Sequence, residues 1–261
     1  MFENPALIQG PREESGPWDR PTAPLVLIHD GGGTTFSYYC LGDLDRDVYG
    51  IANPHYQSGE RWGSIPEMAS EYIKYIKSAI PHGDVIIGGW SLGGLVSLEV
   101  ARQLADEKDR SLNVLGIVMV DSVCPLSLTA PILPVVQHGI IWGEHTRQET
   151  KDSIMRCFAE ASDIIRKWTL PVWGEGKDKN AVARPPPVVL LRATDSVPVP
   201  DKFDSGVDSN RRDHLLGWGN YHKDMIVKVI DIPGHHFNVF LGEEHLAAAT
   251  EAIKKACRLL E

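Results

Sequence analysis

The stretch Val85–Gly94 constrains this chain more than any other. A β-branched apolar run leads into two glycines, Ser91 follows, and a second glycine pair precedes a segment, residues 95–105, without a helix breaker. This pattern predicts a strand, a sharp turn and a helix. Gly89–Gly93 fits the G-x-S-x-G turn, which holds a nucleophilic serine in a strained backbone at the top of a sheet. Glycines suit such a turn because strand and helix approach too closely for side chains.

Composition narrows the class of protein. The chain has 261 residues, of which 43% are hydrophobic, enough for one large α/β domain with a substantial core. The net charge of −9 disfavours nucleic-acid binding, which needs a clustered basic surface, and also disfavours a membrane-surface role. No apolar run has the length of a membrane-spanning helix, and the N-terminus has no signal-peptide layout.

The cysteines point to a reducing compartment. They are scattered without the spacing of a metal site, and no N-x-[ST] glycosylation acceptor is present. We therefore expect a cytoplasmic protein with free thiols at Cys40, Cys124, Cys157 and Cys257.

Apolar runs and breakers predict alternating strands and helices. Strands are expected at 6–9, 24–29, 47–52, 85–87, 113–120, 188–193 and 225–230, and helices at 35–44, 65–80, 95–105, 147–167 and 243–260. This alternation predicts a mostly parallel central sheet with helices on both faces. Residues 124–187 lack a strand and are too long for a crossover, so we expect an inserted helical lid within one domain, residues 1–261.

The chemistry should gather where strands end, because ligands in open α/β sheets bind at the carboxyl ends of the strands. Ser91 ends one strand, and its order relative to the acids and histidines, Ser…Asp…His, is that of the α/β-hydrolase fold. The serine needs a histidine base, and the base needs an acid. Residue spacing leaves two choices open: His235 or His236 as the base, and Asp121 or Asp195 as the acid.

An oxyanion would form beside Ser91, and two backbone donors are expected there. One is the N–H of Leu92, which follows the serine at the start of the helix. The second belongs to the glycine-rich loop after the second strand, at Gly31 or its neighbour Gly32. That loop lacks the spacing of a phosphate-binding motif.

Four segments resemble the thioesterase domains that end polyketide and nonribosomal peptide synthases, the fungal polyketide branch most of all. They are Gly88–Gly94, Val120–Pro125, Gly234–Phe237 and Ile28–Gly33, although many members have Phe-Pro where this chain has Ile28 and His29. The resemblance extends from about residue 24 to the end and agrees with the position of the lid. It implies Asp121 as the acid and His236, before an aromatic residue, as the base.

The same resemblance implies the reaction. Ser91 would attack the thioester of an acyl or polyketide chain carried on the phosphopantetheine arm of an acyl carrier protein or carrier domain. Water would then release an acid, or an internal nucleophile would release a ring. The enzyme would need no cofactor and no metal of its own. The main alternative is a carboxylesterase or lactonase with the same triad, and a second is an idle interaction module.

Three features of the second half have two interpretations each. Basic residues in the lid region suit either an acidic carrier or a solvated helix face: Arg147, Lys151, Arg156, Arg166, Lys167, Lys177 and Lys179. Apolar residues suit an acyl tunnel or the lid's own core: Trp142, Phe158, Trp168, Trp173 and Trp218. Gly206–Ser209 resembles a phosphopantetheine attachment motif, but Asn210, Arg211 and Arg212 follow it in place of the usual leucine.

Overall fold

A seven-stranded sheet forms the centre of the protein. The computed structural model describes residues 3–10, 22–108, 110–127, 139–174, 184–199 and 206–261. The sheet order is β1-β3-β2-β4-β5-β6-β7, with β1 antiparallel to β3 and every other pair parallel. The strands are β1 (Ala6–Gln9), β2 (Leu25–Ile28), β3 (Val48–Ile51), β4 (Gly83–Trp90), β5 (Leu112–Val120), β6 (Val188–Ala193) and β7 (Ile226–Ile232). All the predicted strands are present.

Helices cover both faces of this sheet. They are α1 (Phe36–Tyr39), α2 (Ile65–Ala79), α3 (Leu92–Asp106), α4 (Gln148–Lys167) and α5 (Glu243–Leu260). Alternate residues of β2 separate the two faces: Val26 and Ile28 pack with α2, α3 and α4, whereas Leu25 and Leu27 pack with α5. The expected α/β-hydrolase architecture, a mostly parallel sheet between helical layers, is confirmed.

Side chains of the local sequence cap the N-terminus of α2. The Ser64 hydroxyl accepts a hydrogen bond from the backbone N–H of Glu67, and the Glu67 carboxylate accepts one from the N–H of Gly63. The first bond satisfies a backbone donor that a helix N-terminus leaves without an intrahelical partner, and the second ties the residue before the cap to the first turn.

Helix α1 is shorter than the expected span of residues 35–44. After Tyr39 the N–H groups of Cys40 and Leu41 bond three residues back, and two later donors that would continue the helix bond to distant parts of the chain. The N–H of Gly42 donates to the Thr250 hydroxyl on α5, and the N–H of Leu44 donates to the Gln9 side chain on β1. Tertiary partners therefore replace the next helical turn.

Gly93, in the first turn of α3, allows this helix to lie directly against β2. A methyl group at this position would lie 2.3 Å from the carbonyl oxygen of Ile28, a backbone atom that a rotamer change cannot move. We expect Gly93→Ala to lower the free energy of unfolding by about 3 kcal/mol. In Gly10→Ala the new methyl would meet its nearest atom at 3.9 Å, so urea unfolding of this variant should match the wild type. Equal unfolding midpoints for the two variants would contradict the close packing.

Candidate active site

Ser91 lies in a strained turn between β4 and α3. Its backbone has φ 54° and ψ −113°, a conformation that non-glycine residues rarely adopt. Two bonds attach the turn to β5 and the residues after it: the N–H of Ser91 donates to the Val120 carbonyl, and the Ser122 hydroxyl donates to the Ser91 carbonyl. The neighbouring glycine is also necessary, because a methyl group at Gly89 would lie 2.4 Å from the Ile28 carbonyl oxygen. The turn thus presents Oγ of Ser91 at the carboxyl edge of the sheet.

His236 reaches this hydroxyl from the loop after β7. Its Nε2 lies 3.0 Å from Oγ of Ser91, and its Nδ1 lies 2.8 Å from Oδ2 of Asp121. Since a carboxylate only accepts, Nδ1 carries the proton, and Nε2 is left to accept from the serine. The indole N–H of Trp90 donates to the His236 carbonyl and holds the loop in place.

Asp121 is fully buried at the end of β5. Its Oδ1 accepts a hydrogen bond of 2.9 Å from the backbone N–H of Ala193. Burial opposes ionisation of this carboxyl, but hydrogen bonds and charge from His236 and Arg211 outweigh it, so the pKa of Asp121 lies well below its usual value. The site therefore holds an ionised carboxylate at neutral pH.

The alternatives that residue spacing left open, Asp195 as the acid and His235 as the base, have other partners in the structure. Asp195 is exposed, and its carboxylate accepts from the Thr194 hydroxyl. The ring of His235 accepts a bond from the backbone N–H of Phe237. The structure brings Asp121 and His236 together with Ser91, and among the described contacts neither Asp195 nor His235 bonds to the serine.

Arg211 is the part of this site that sequence reasoning missed. Its Nη1 lies 2.6 Å from Oδ1 of Asp121 and its Nη2 lies 2.8 Å from Oδ2, which makes a bidentate ion pair with both partners buried. Gly206–Asp208 forms a 3₁₀ turn beside it, and Asp208 accepts from Nε of Arg211. The segment that resembled a phosphopantetheine attachment motif therefore supports an arginine.

Residues 30–33 form the loop in which the second oxyanion donor is expected (the oxyanion loop), and two of its three glycine N–H groups have acceptors inside the loop. The N–H of Gly32 donates to the Asp30 carboxylate and that of Gly33 to the Asp30 carbonyl. For Gly31, no acceptor occurs within the described ranges. Leu92 is the first residue of α3, where an N–H has no intrahelical partner. Of the two glycines considered, Gly31 is thus the better placed as the second donor.

Two buried titratable groups support this loop. Nδ1 of His29 donates to the Asp30 carbonyl, and Nε2 bonds to the Tyr72 hydroxyl, which is the donor when the ring is neutral. Burial lowers the pKa of His29 to about 4. Burial also raises the pKa of Asp30 to about 7, although the bond from Gly32 acts in the opposite direction. The loop is therefore attached to a carboxyl that gains or loses its charge near neutral pH.

This raised pKa makes stability depend on pH. Between about pH 4 and 7 the folded protein keeps a proton on Asp30 that the unfolded chain has released, so stability falls as the pH rises. Asp30→Asn removes this effect and keeps an oxygen that accepts from Gly32. His29 contributes the opposite slope between about pH 4 and 6.5 in both proteins, so it cancels in the comparison.

We therefore expect the free energy of unfolding of Asp30→Asn, relative to wild type, to rise by on the order of 2 kcal/mol between pH 5 and pH 8. Urea titrations at the two pH values measure it. Asp195→Asn, at an exposed carboxyl, is the matched control. Parallel pH dependence in Asp30→Asn and wild type would show that Asp30 is already charged in the folded protein.

Helix α4 packs over the oxyanion loop. A methyl group at Gly31 would lie 2.7 Å from the Phe158 ring, and Phe158 also makes an edge-to-face contact with Phe237, next to the histidine. Phe158 belongs to a small apolar cluster with Val197 and Val207. Residues 161, 164 and 165 of the same helix instead join the larger core with α2 and α3.

The aromatic residues expected in an acyl tunnel or in the core of the lid lie in different parts of the structure. Trp218 is fully buried in the main core, and its indole N–H donates to the Ser122 carbonyl. Trp168 and Trp173 pack against that core as well. Trp142 lies beneath the ammonium group of Lys151, 5.8 Å from the ring centroid. Among these residues, Phe158 is the one that lies against Gly31, and Trp218 reaches the segment after β5 that bonds to Ser91.

The basic residues of the lid region are partly committed to internal partners. Arg156 donates to the Tyr56 carbonyl, and Arg166 pairs with Asp163. Arg147 and Lys167 are exposed. Lys177 and Lys179 lie outside the described residues. Of the described cations, Arg156 and Arg166 therefore already have partners within the protein.

The described part of the chain gives little support to a metal site or a membrane-spanning segment. It contains no group of three metal-ligating side chains. None of its helices is long and apolar enough to cross a membrane. All four cysteines are free, and three of them are buried.

Comparison with known proteins adds an independent finding. A family model described as a thioesterase domain matches residues 23–131. The chain is 38% identical to the thioesterase frbE of Dothideomycetidae sp. (strain 11243), over 99% of this chain and 96% of the relative. It is 34% identical to the thioesterase AMT4 of Alternaria alternata, over 100% and 94%. The crystal structure of the NocB thioesterase domain, in covalent complex with a fluorophosphonate nocardicin G analogue, superposes with a TM-score of 0.68 at 26% identity, covering 90% of this chain and 94% of that one.

Proposed function

This chain belongs to the thioesterase family and is a hydrolase of thioester bonds, and we propose that it releases an acyl or polyketide chain from the phosphopantetheine arm of a carrier protein. The observation that carries the proposal is the line of hydrogen bonds from Ser91 through His236 to Asp121. These three side chains have the types that an acyl-transfer reaction needs, in the chain order that is typical of the α/β-hydrolase fold.

In the first half-reaction, Oγ of Ser91 attacks the thioester carbonyl carbon while Nε2 of His236 takes the hydroxyl proton. The carbonyl oxygen becomes an oxyanion, which the backbone N–H groups of Leu92 and Gly31 stabilise, by roughly 3 kcal/mol for each well-placed donor. The intermediate collapses, the C–S bond breaks, and the thiolate of the arm takes the proton from His236. The product is an acyl ester of Ser91.

In the second half-reaction, His236 deprotonates a water molecule that attacks the acyl ester and releases an acid. A hydroxyl of the chain itself would give a ring in place of the acid. We propose that residues 124–187 act as the inserted lid that decides how far water is excluded. The contact of Phe158 on α4 with Gly31 supports this role, since it brings the segment to the oxyanion loop.

The substrate and compartment follow from the same chemistry. Acyl transfer through a serine needs no metal or cofactor of the enzyme's own, and the phosphopantetheine belongs to the carrier protein or carrier domain. Homology to fungal thioesterases and to the NocB domain supports a carrier-bound substrate. Four free thiols suit the reducing cytoplasm, where we place the reaction.

The test compares one acyl chain in three forms: bound to a carrier protein, as an N-acetylcysteamine thioester, and as a p-nitrophenyl ester. We expect kcat/KM to be at least tenfold higher for the carrier-bound form than for the p-nitrophenyl ester, with Ser91→Ala inactive on all three. Preference for the free ester would indicate a carboxylesterase or lactonase. No turnover, together with no reaction with a fluorophosphonate, would indicate an idle interaction module.

A further inference from the structure

We propose that Arg211 is a positioning residue of this reaction, which fixes the Asp121 carboxylate and keeps His236 available as an unprotonated base. The inference rests on the proposed function, because it assigns a role toward the same triad. It extends that function by adding a fourth side chain, one that does not touch the serine or the substrate.

The Asp121 carboxylate is saturated with donors. Its Oδ1 accepts from Nη1 of Arg211 and from the backbone N–H of Ala193, and its Oδ2 accepts from Nη2 of Arg211 and from His236. A carboxylate has about four acceptor positions, and this one uses four. These four bonds hold the carboxylate in one orientation, and the two from Arg211 direct Oδ2 toward Nδ1 of His236.

The Arg211 guanidinium is itself fixed by further hydrogen bonds. Nε donates to Asp208 at 3.0 Å, Nη1 also donates to the Ala193 carbonyl at 3.0 Å, and Nη2 also lies 3.5 Å from the Val207 carbonyl. All five N–H groups of the guanidinium thus face acceptors. A lysine has three donors on one nitrogen and cannot reproduce this fork.

Charge gives the arginine a second effect. Asp121 alone would draw a second proton onto the buried imidazole of His236, because opposite charges favour each other at short range. The guanidinium neutralises the same carboxylate and repels an imidazolium. The other charged or titratable groups near the histidine and its acid are His235 beside it, Asp208 behind the arginine, Asp195 and His245, which act on His235, and Arg192, which acts on Asp121 and Arg211. None of these is bonded to Asp121 among the described contacts.

The experiment uses Arg211→Gln, Arg211→Lys and, as a matched control, Arg46→Gln. Arg46 is also a buried arginine, its Nη1 and Nη2 pair with both carboxylate oxygens of Glu261, and none of its described interactions reaches the triad. Two readouts are taken: the pH profile of kcat/KM on an acyl thioester, and the NMR titration midpoint of the His236 ring. The NMR midpoint needs no substrate, so it reports on Arg211 even if the wild type shows no thioesterase activity. Failure of the Arg211 proposal can therefore be distinguished from failure of the proposed function.

For Arg211→Gln we expect kcat to fall by roughly tenfold, and both the acidic limb of the profile and the NMR midpoint to move upward by about one pH unit. Arg211→Lys keeps the charge but loses the fork, so kcat should fall with little movement of either midpoint. Arg46→Gln should match wild type in both readouts.

Two results would overturn the proposal. One is an Arg211→Gln variant with midpoints equal to those of Arg46→Gln, since a merely structural arginine changes stability and overall rate but not the pH dependence. The other is an Arg211→Lys variant with wild-type kcat. This second result remains decisive if the glutamine variant does not fold.

Discussion

His236→Asn is expected to lower kcat by about 10⁵-fold while leaving the fold intact. The asparagine side chain can still donate to Asp121 from the position of Nδ1, so the buried carboxylate keeps its partner. Nothing replaces Nε2, which accepts the Ser91 proton at 3.0 Å. The serine then stays protonated and is a poor nucleophile. Steady-state kinetics on an N-acetylcysteamine thioester, with thermal unfolding in parallel, measures both effects.

His235→Asn is the matched control, because it makes the same substitution one residue earlier. The asparagine oxygen can still accept from the N–H of Phe237, which is the contact that the His235 ring makes. We expect kcat within about threefold of wild type. A large loss in His235→Asn, with activity kept in His236→Asn, would reverse the assignment of the base.

Asp121→Asn is expected to damage both catalysis and stability. An asparagine in this position presents an NH₂ group to Nδ1 of His236, which favours the tautomer with the proton on Nε2. That nitrogen can no longer take the serine proton, and the corresponding change in a serine protease lowers kcat by about 10⁴. The neutral side chain also leaves Arg211 as a buried cation without its main partner, which costs about 3–5 kcal/mol.

Asp195→Asn provides the comparison, since sequence reasoning from the fold left these two acids nearly even. Asp195 is exposed, so its substitution should leave kcat within about threefold and the unfolding midpoint unchanged. Guanidinium unfolding and steady-state kinetics of both variants decide the question. Loss of activity in Asp195→Asn with an active, stable Asp121→Asn would contradict the geometry described here.

The framework of the sheet was predictable because its strands are apolar runs bounded by breakers. Val85–Gly94 carried the strongest signal, since a close approach of strand and helix excludes side chains at the flanking glycines. The three polar groups Ser91, Asp121 and His236 follow strands in the chain, and parallel strands bring their carboxyl ends to one edge. Topology alone therefore placed the candidate residues near one another.

Residue spacing could not predict which acidic side chain contacts the histidine. Asp121 and Asp195 both follow buried strands, and only their surroundings differ: one carboxylate is buried among donors, the other is exposed. Arg211 carries no local signal, because it lies 90 residues from Asp121 in a loop whose path the sequence pattern does not define. Helix α1 was overestimated for a similar reason, since Gln9 and Thr250 compete for its next backbone donors.

The central claim is that Ser91 carries the acyl chain, and the most direct test is the intact mass of the protein after incubation with an acyl-thioester analogue. Wild type and Ser91→Ala are measured in parallel, and the modified peptide is then located by fragmentation. We expect one acyl mass on wild type, located at Ser91, and none on the variant. An adduct of equal extent on Ser91→Ala, or no adduct on wild type with fluorophosphonate also unreactive, would contradict the account.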